Sequence, residues 1–455
     1  MPAAARVIVI GAADAVAAAA AGLWEELGVV KFSGGSLIKV TISTRVSSVL
    51  VSRLLGRPIT LTVGARAGKS MQSELTQSSS RDERDDISFL RSTQSREVSR
   101  TEFVNHVSWK CMFVSALVVA CVSFLSLQRP SSAIAWPEQN VEWKRGKYLL
   151  RSLQFDTLSF SADDLCHLTL EMFQELDLGL EERKLKNLIL AVRESMHPNP
   201  YHNWFHVVDV TQMIFSLMHK TSLLERMDKI QKFALIVSAL CHDLDHPGVS
   251  NSFLISSRSE LALLYNDRSP LENHHSSQTF RLLHRADINL LKNMTVSEYQ
   301  EFRKAVIGNI LATDMGRHSE YASKLEIVAT SQQGADVQFQ MEVTLKYADI
   351  SSVWRPFNIA KQWAMRVTNE FFLQGDEERR KGLVITANMD RTSSSRVSVQ
   401  MGFIDYIVTP YSRNMVRLMP PLLESEQQLL HNRADWGKIN DSDLEAFCRR
   451  ADVDC

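Results

Sequence analysis

Two short segments rich in histidine and aspartate carry the residues of this chain that are best suited to chemistry. The first runs from Tyr201 to His206 (YHNWFH) and the second from His242 to Gly248 (HDLDHPG). His202 and His206 stand four residues apart, so on a helix they would share one face. Imidazole nitrogen combined with carboxylate oxygen suits zinc, iron or manganese better than calcium. The two segments predict a metal-assisted hydrolytic site in which one histidine remains to donate a proton.

A third segment, LKYADIS, offers another carboxylate. Asp349 follows an apolar helical pattern, and the apolar run 230–241 leads directly into His242. An isolated HxxxH pair is more often half-buried and hydrogen-bonded than metal-bound. The four ionisable groups within HDLDHPG change that balance, because burying them is costly unless they are paired or bind a metal. The sequence therefore favours a shell of histidines and aspartates drawn from distant segments.

These motifs, with three others, resemble the class I 3′,5′-cyclic-nucleotide phosphodiesterases, the all-helical enzymes that cleave the cyclic phosphate of cAMP or cGMP. The wording is most similar to the high-affinity cGMP-specific subfamily, in stretches such as ILATDMGRH and RPFNIAKQW. The broader HD-type metal phosphohydrolases share only the H…HD…D skeleton. The matching segments run in family order from about 147 to 410: YHN, HDLDHPG, ENHH, ATDM, LKYADIS and QMGFIDYIV.

The resemblance implies two divalent metal ions in each catalytic domain. The tight site, expected to hold Zn2+, is matched by His206, His242, Asp243 and Asp349. The aspartate that matches Asp243 also contacts a second ion, Mg2+ or Mn2+, which is otherwise held largely through waters. The groups around that hydrated ion are matched by His246, Glu272 and Thr313.

The resemblance also implies a mechanism. A hydroxide activated by the two metals would attack phosphorus in line, and His202 matches the general acid that protonates the leaving 3′ oxygen. The product would be a nucleoside 5′-monophosphate, and the reaction would terminate cyclic-nucleotide signalling.

The resemblance also implies a nucleotide pocket, in which Gln400 matches the purine-binding glutamine of the family and Phe403 and Val367 match the clamp around the purine. Ser352 stands where cAMP-specific members usually place an asparagine, and Val353 stands where the cGMP-specific subfamily has an acidic residue. The sequence favours cGMP, with cAMP or dual specificity left open. The residues expected to bind the nucleotide are Gln400, Phe403, Val367, Tyr201, Met315 and Ser352.

Composition and charge exclude several other classes. The chain has 455 residues, a net charge of −1 and 45% hydrophobic residues. Without an overall basic field, binding of nucleic acid through charge is not expected. The six cysteines are scattered and form no CxxC pair, so neither a zinc finger nor a disulfide framework is predicted. The expected compartment of the catalytic domain is the reducing cytosol.

The first third of the chain differs from the rest. Residues 1–68 have no assigned role, and residues 69–101 are rich in serine and charge, which predicts a disordered linker. The segment 109–128 encloses the apolar run 111–127. That run is either a single transmembrane helix, which would anchor the protein to a membrane, or a buried core helix.

Helical periodicity begins at about residue 143 and is clear at Leu165, Leu168 and Met172. The predicted fold is all-α: a compact multi-helix catalytic domain with an HD-type metal site over residues 143–425. A poorly ordered N-terminal region precedes it, and a polar tail, 426–455, follows it.

Two alternatives to the phosphodiesterase remain. One is an HD-type hydrolase acting on another nucleotide, and the other is a catalytically silent, membrane-tethered scaffold. Gln400 and Phe403 argue against the first, because a purine clamp has no purpose on a substrate without a purine. A complete ligand set together with His202 argues against the second. The sequence leaves a homodimer open.

Overall fold

The computed structural model of the chain describes residues 7–9, 39–41, 135–138, 141–331 and 335–450. Val7–Val9 (β1) pairs antiparallel with Lys39–Thr41 (β2), and this short ribbon belongs to an N-terminal unit. Within the described residues these are the only strands. In the second unit, which begins at Ala116, all regular elements of the described residues are helices. The all-α prediction for the catalytic region is confirmed.

The second unit is built from α-helices joined by short loops and a few turns of other helix types. The other turns are the 3₁₀ segments Thr157–Ser159, Met315–Arg317, Ser351–Trp354 and Pro420–Leu422 and the π-helical segment Ile404–Val408. In chain order the α-helices are α1 (Glu142–Lys147), α2 (Ala162–Glu175), α3 (Glu182–Ser195), α4 (Trp204–Lys220), α5 (Leu223–Arg226), α6 (Lys229–Cys241), α7 (Asn251–Ser256), α8 (Glu260–Leu264), α9 (Pro270–Leu283), α10 (Val296–Ala312), α11 (His318–Thr330), α12 (Val337–Asp349), α13 (Phe357–Lys381), α14 (Arg396–Phe403), α15 (Thr409–Leu418), α16 (Leu423–Trp436) and α17 (Asp441–Arg450).

Local sequence explains where several of these helices begin. Three of them start with a capping box, in which a side chain before the helix accepts from a backbone N–H in the first turn and receives a hydrogen bond in return. The pairs are Ser161 with Asp164, Asp228 with Gln231, and Thr295 with Glu298. Each box satisfies backbone groups that a helix start otherwise leaves without partners.

The central helix is α6. Every residue from Phe233 to Cys241 is buried, and α6 packs against α4, α9, α10 and α12. A helix that is apolar on all sides is stable only when other helices cover it, and burying each leucine or valine side chain contributes about 1.5–3 kcal/mol. The burial of α6 therefore carries the chain into the interior and places His242 there.

The C-terminal residues are packed on this core, although the sequence predicted a polar tail from 426 to 455. The Asn432 side chain donates to the carbonyls of Val353 and Arg355 at 2.8 and 2.7 Å. The helical unit therefore continues to at least residue 450, and the predicted tail is corrected. The sequence gives little sign of this packing, because the buried apolar side chains are widely spaced among polar residues. They are Leu429, Trp436 and Leu444.

The predicted linker 69–101 and the candidate span 109–128 lie outside the described residues, as does most of 1–68. In the part of the chain that the structure describes, no helix is long and apolar enough to cross a membrane. The assignments of these N-terminal segments stay predictions.

Candidate active site

The four predicted metal ligands meet at one point in the interior. The Nε2 atoms of His206 and His242 each lie 3.2 Å from Oδ1 of Asp349. They lie 3.3 and 3.2 Å from Oδ2 of Asp243. The four donor atoms are thus within 4.8 Å of one another, although they come from segments up to 143 residues apart.

Three helix ends bring these residues together. His206 is in the first turn of α4, where Oδ1 of Asn203 accepts from its backbone N–H at 3.3 Å. His242 directly follows α6, and Asp349 is the last residue of α12. The Nδ1–H of His242 donates to the Ala239 carbonyl at 2.9 Å, which directs its Nε2 toward the two carboxylates. Such a bond fixes the tautomer and orientation of a metal-binding histidine.

The cluster has the chemistry of a site for a divalent cation. The buried atoms Nε2 of His242 and Oδ2 of Asp243 have no hydrogen-bond partner. Donor atoms around a zinc ion with bonds of about 2.1 Å stand roughly 3.0–3.4 Å apart, which matches the spacing found here. Two imidazole nitrogens and two carboxylate oxygens suit zinc, iron or manganese. These residues therefore fit the tight metal site that the sequence implies.

The charges in the cluster depend on one another. Burial lowers the pKa of His242, but the carboxylates of Asp243 and Asp349 outweigh burial and raise that pKa well above its usual value. Burial raises the pKa of Asp243, but His242 and His202 hold it well below its usual range. The carboxylates of Asp243 and Asp349 therefore stay ionised, and a cation between them would be favourable.

His202 lies beside this cluster but not on a helix. We expected it to share a helix face with His206, whereas α4 begins only at Trp204, after the capping residue Asn203. Its side chain is held instead by Glu370 on α13, whose Oε1 accepts from Nδ1 of His202. Oε2 of Glu370 accepts from the backbone N–H groups of Tyr201 and His202, each at 3.0 Å.

This pair keeps the imidazole of His202 protonated. Burial lowers the pKa of His202, but the charges of Glu370 and Asp243 outweigh burial and raise that pKa to about 9. Burial raises the pKa of Glu370, and the charge of His202 more than reverses this and brings it to about 2. With Nδ1 bonded to Glu370, Nε2 is the nitrogen left to donate a proton.

His246 and Glu272, which the resemblance places around the second ion, are both buried. The ring of His246 stacks on that of His202, with centroids 3.9 Å apart and planes at 16°. Burial raises the pKa of Glu272 to about 7, the nearby Asp314 acts in the same direction, and Asn251 donates to the carboxyl at 2.9 Å. A carboxyl of this kind can exchange protons near neutral pH.

Thr313 is the third residue of that group. It caps the C-terminus of α10, and its hydroxyl donates to the Ile310 carbonyl at 2.8 Å. Its own carbonyl, with those of Ala312 and Asp314, accepts from the buried ammonium of Lys346. This loop is therefore fixed by α12, the helix that ends at Asp349.

The residues predicted to bind the nucleotide fall into three places. Tyr201 packs on His206 with centroids 4.5 Å apart, and its hydroxyl interacts with Ser352. Val367 packs against the small apolar cluster to which Tyr201 belongs. Gln400, buried, and Phe403, half-buried, are on α14, which packs against α13, the helix that carries Val367. Met315 is 41% exposed in the 3₁₀ turn after Thr313.

Sequence reasoning missed Glu370, His275 and Asn199. Glu370 had a usable signal: a carboxylate on the buried side of α13, in line with Ile359 and Trp363, must have a partner. Nε2 of His275 lies 3.8 Å from Oδ1 of Asp243, and His275 forms a further buried group of possible ligands with Asp243 and His246. The contacts of His275 with these residues exist only in the folded chain.

Comparison with known proteins agrees with this site. The family model described as 3′5′-cyclic nucleotide phosphodiesterase matches residues 201–429. That range contains the four clustered ligands, His202 and Glu370, and it spans half of the chain. The chain belongs to the 3′,5′-cyclic nucleotide phosphodiesterase family.

Two curated relatives illustrate the similarity. The 3′,5′-cyclic-nucleotide phosphodiesterase regA of Dictyostelium discoideum is 32% identical over 318 residues, which cover 66% of this chain and 40% of the relative. The mouse high affinity cGMP-specific 3′,5′-cyclic phosphodiesterase 9A is 33% identical over 284 residues, covering 61% and 53%. The chain thus spans less than two thirds of the length of these relatives.

A solved structure shares the fold of the helical unit. The phosphodiesterase domain of the RhoPDE fusion protein from the choanoflagellate Salpingoeca rosetta is 33% identical, with a TM-score of 0.62. The match covers 65% of this chain and 97% of that domain.

Proposed function

We propose that the protein hydrolyses the 3′,5′-cyclic phosphodiester of a cyclic nucleotide to the nucleoside 5′-monophosphate, and so terminates a cyclic-nucleotide signal. The observation that carries this proposal is the largely buried cluster of two histidines and two aspartates next to His202, whose Nδ1 is bonded to Glu370. Membership of the phosphodiesterase family supports it.

His206, His242, Asp243 and Asp349 would hold the tight ion, for which we propose Zn2+. Asp243, with His246, Glu272 and Thr313 nearby, would serve a second ion, Mg2+ or Mn2+. When bound, such ions neutralise phosphate charge and lower the pKa of water. The carboxylates, which stay ionised, provide the negative charge that retains the cations.

His202 is proposed as the general acid. Breaking the bond from phosphorus to the 3′ oxygen leaves an alkoxide, which must gain a proton. Because Glu370 holds Nδ1, the proton on Nε2 is the one available, and the raised pKa keeps it in place at neutral pH. The stacked ring of His246 limits rotation of the imidazole.

For the substrate we propose cGMP in preference to cAMP. Relatives named as high affinity cGMP-specific phosphodiesterases, from Drosophila melanogaster and from mouse, support this choice. A mouse relative named as a dual specificity phosphodiesterase keeps cAMP as the alternative. Tyr201, Ser352 and Val367 would line one side of the base, and Gln400 and Phe403 would lie on the adjoining helix.

The test is hydrolysis of cGMP and cAMP side by side by the purified full chain, with Mg2+ or Mn2+ supplied. We expect 5′-GMP and 5′-AMP as products and a higher kcat/KM for cGMP. Equal or higher kcat/KM for cAMP would overturn the preference but not the activity. Failure on both, by folded protein that contains zinc, would favour an HD-type hydrolase of another nucleotide or a silent scaffold.

A further inference from the structure

We infer that Asn199 is a positioning residue. It fixes the loop that carries His202, before α4, relative to the loop that carries His246, after α6. The inference rests on the proposed function, because His202 is there the proton donor. Asn199 does not belong to the metal cluster and does not contact the proposed general acid through its ring. It acts on the backbone of both loops.

One side-chain amide connects the two loops. Nδ2 of Asn199 donates to the carbonyl of His202 at 2.9 Å and to the carbonyl of His246 at 2.8 Å. An NH₂ group has two hydrogens, and both are used on the residues whose rings stack 3.9 Å apart. His202 and His246 are thus connected twice, at their backbone carbonyls through Asn199 and at their side chains through ring stacking.

The backbone of Asn199 extends this connection to a metal ligand. Its carbonyl accepts from Nδ2 of Asn203 at 2.8 Å. Oδ1 of Asn203 in turn accepts from the backbone N–H groups of Phe205 and His206 at 2.9 and 3.3 Å. Asn199 is therefore linked both to the proposed acid and to the start of α4.

The chain around Asn199 is built for a fixed conformation. Pro198 and Pro200 flank it; each has a restricted φ, and Pro200 also confines Asn199 to extended backbone. On the facing loop, Gly248 has a φ of +75°, and a Cβ there would lie 2.8 Å from Oδ1 of Asn199. The two loops are in direct contact, and a glycine is needed where they touch.

The position demands an amide. Aspartate has the same shape but would place a carboxylate oxygen against two carbonyl oxygens. Alanine would leave both carbonyls without this donor. His202 lies before α4, so without the amide its position would depend on Glu370 and on the stacked ring of His246. A shift of about 1 Å in a reacting group can cost roughly 100-fold in rate.

The experiment is a double-mutant cycle in the full chain with Asn199→Asp and His202→Ala, measured on cyclic nucleotide. Asn199→Asp alone should lower kcat roughly 10- to 100-fold with little change in KM. In the His202→Ala background it should change kcat by less than about twofold, because the group that it positions is gone. Asn358→Asp, the same change at an exposed residue, is the control and should leave kcat unchanged.

A second substrate separates a loss of positioning from a general loss of structure. Hydrolysis of bis(p-nitrophenyl) phosphate, whose leaving group needs no proton, should be nearly unaffected by Asn199→Asp. An equal loss on both substrates, or the same loss with and without His202, would overturn the inference.

Hydrogen exchange tests the connection without relying on activity. In Asn199→Asp, and in Asn199→Ala should the first variant fold poorly, peptides covering 199–206 and 243–248 should exchange faster while α10 does not. Unchanged exchange in both loops would overturn the inference. If the wild type hydrolyses neither nucleotide, the proposed function fails, and exchange alone decides whether Asn199 joins the loops.

Discussion

His202 and His242 are each fixed by one ring nitrogen so that the other serves the site. Nδ1 of His242 donates to the Ala239 carbonyl, and Nδ1 of His202 donates to Glu370. Nε2 of His242 then faces the carboxylates, whereas Nε2 of His202 is left as the proton donor. At the residue scale, the partner of Nδ1 thus distinguishes the proposed metal ligand His242 from the proposed general acid His202.

The sequence predicted these histidines and aspartates because their spacing and clustering are unusual for core residues. For Glu370 it offered one signal, a carboxylate on the buried side of an amphipathic helix, but it could not identify the partner His202, which is 168 residues away. It could not predict Asn199 either, since a single asparagine between prolines also describes a common turn. Both depend on contacts that exist only after folding.

His202→Ala should retain both the fold and the bound metal but lose roughly 10²–10⁴-fold in kcat, the usual contribution of a general acid. Turnover and metal content of the same preparation provide the measurement. His431→Ala, which removes a histidine that is 71% exposed on α16, is the control and should behave as wild type. If His202→Ala instead loses zinc or unfolds, His202 is structural.

The site is assembled at helix ends. α6 ends immediately before His242, α12 ends at Asp349, and α4 begins two residues before His206. Periodicity predicted the helices themselves, including 230–241 as most of α6. It did not give two of their ends: His202 lies before α4, and α6 stops at Cys241, directly before His242. Capping by Asn203 and the turn at His242 are local choices that periodicity does not reveal.

Asp349→Ala removes a ligand at the C-terminal end of α12, and we expect it to abolish both zinc binding and activity. Losing a group that merely supports a ligand costs roughly 10- to 100-fold in metal affinity, so losing a ligand should cost more. Metal analysis and turnover test this. Asp336→Ala removes the N-cap of the same helix, at about 1 kcal/mol of stability, and should keep the metal. Full activity in metal-stripped Asp349→Ala would exclude the proposed metal centre.

At the scale of the whole molecule, the central apolar helix α6 organises the unit, and the C-terminal helices complete it. The fold class could be predicted from the sequence, because apolar residues recur with helical periodicity from residue 143 onward. The C-terminal boundary could not, because within a polar sequence α16 buries four residues and α17 buries only Leu444 among its described side chains. The N-terminal assignments, including the candidate span 109–128, still await a test.

Trp436→Ala should lower the free energy of unfolding by about 3–5 kcal/mol, as is typical for emptying a buried aromatic site. Trp436 is fully buried and packs edge-on against Phe357 at a centroid distance of 5.2 Å. Urea denaturation followed by circular dichroism gives the value. Leu430→Ala, at a residue of the same helix that is 48% exposed, is the control and should change stability little. Equal stability of Trp436→Ala and wild type would mean that α16 is dispensable for the core.

The measurement that tests the central claim most directly is hydrolysis of cGMP in water enriched in ¹⁸O, with the products analysed by mass spectrometry. Attack at phosphorus with departure of the 3′ oxygen predicts 5′-GMP with one ¹⁸O in its phosphate and an unlabelled 3′ hydroxyl. A 3′-monophosphate, a label in the hydroxyl, or no product from zinc-loaded protein with either cyclic nucleotide would contradict the account.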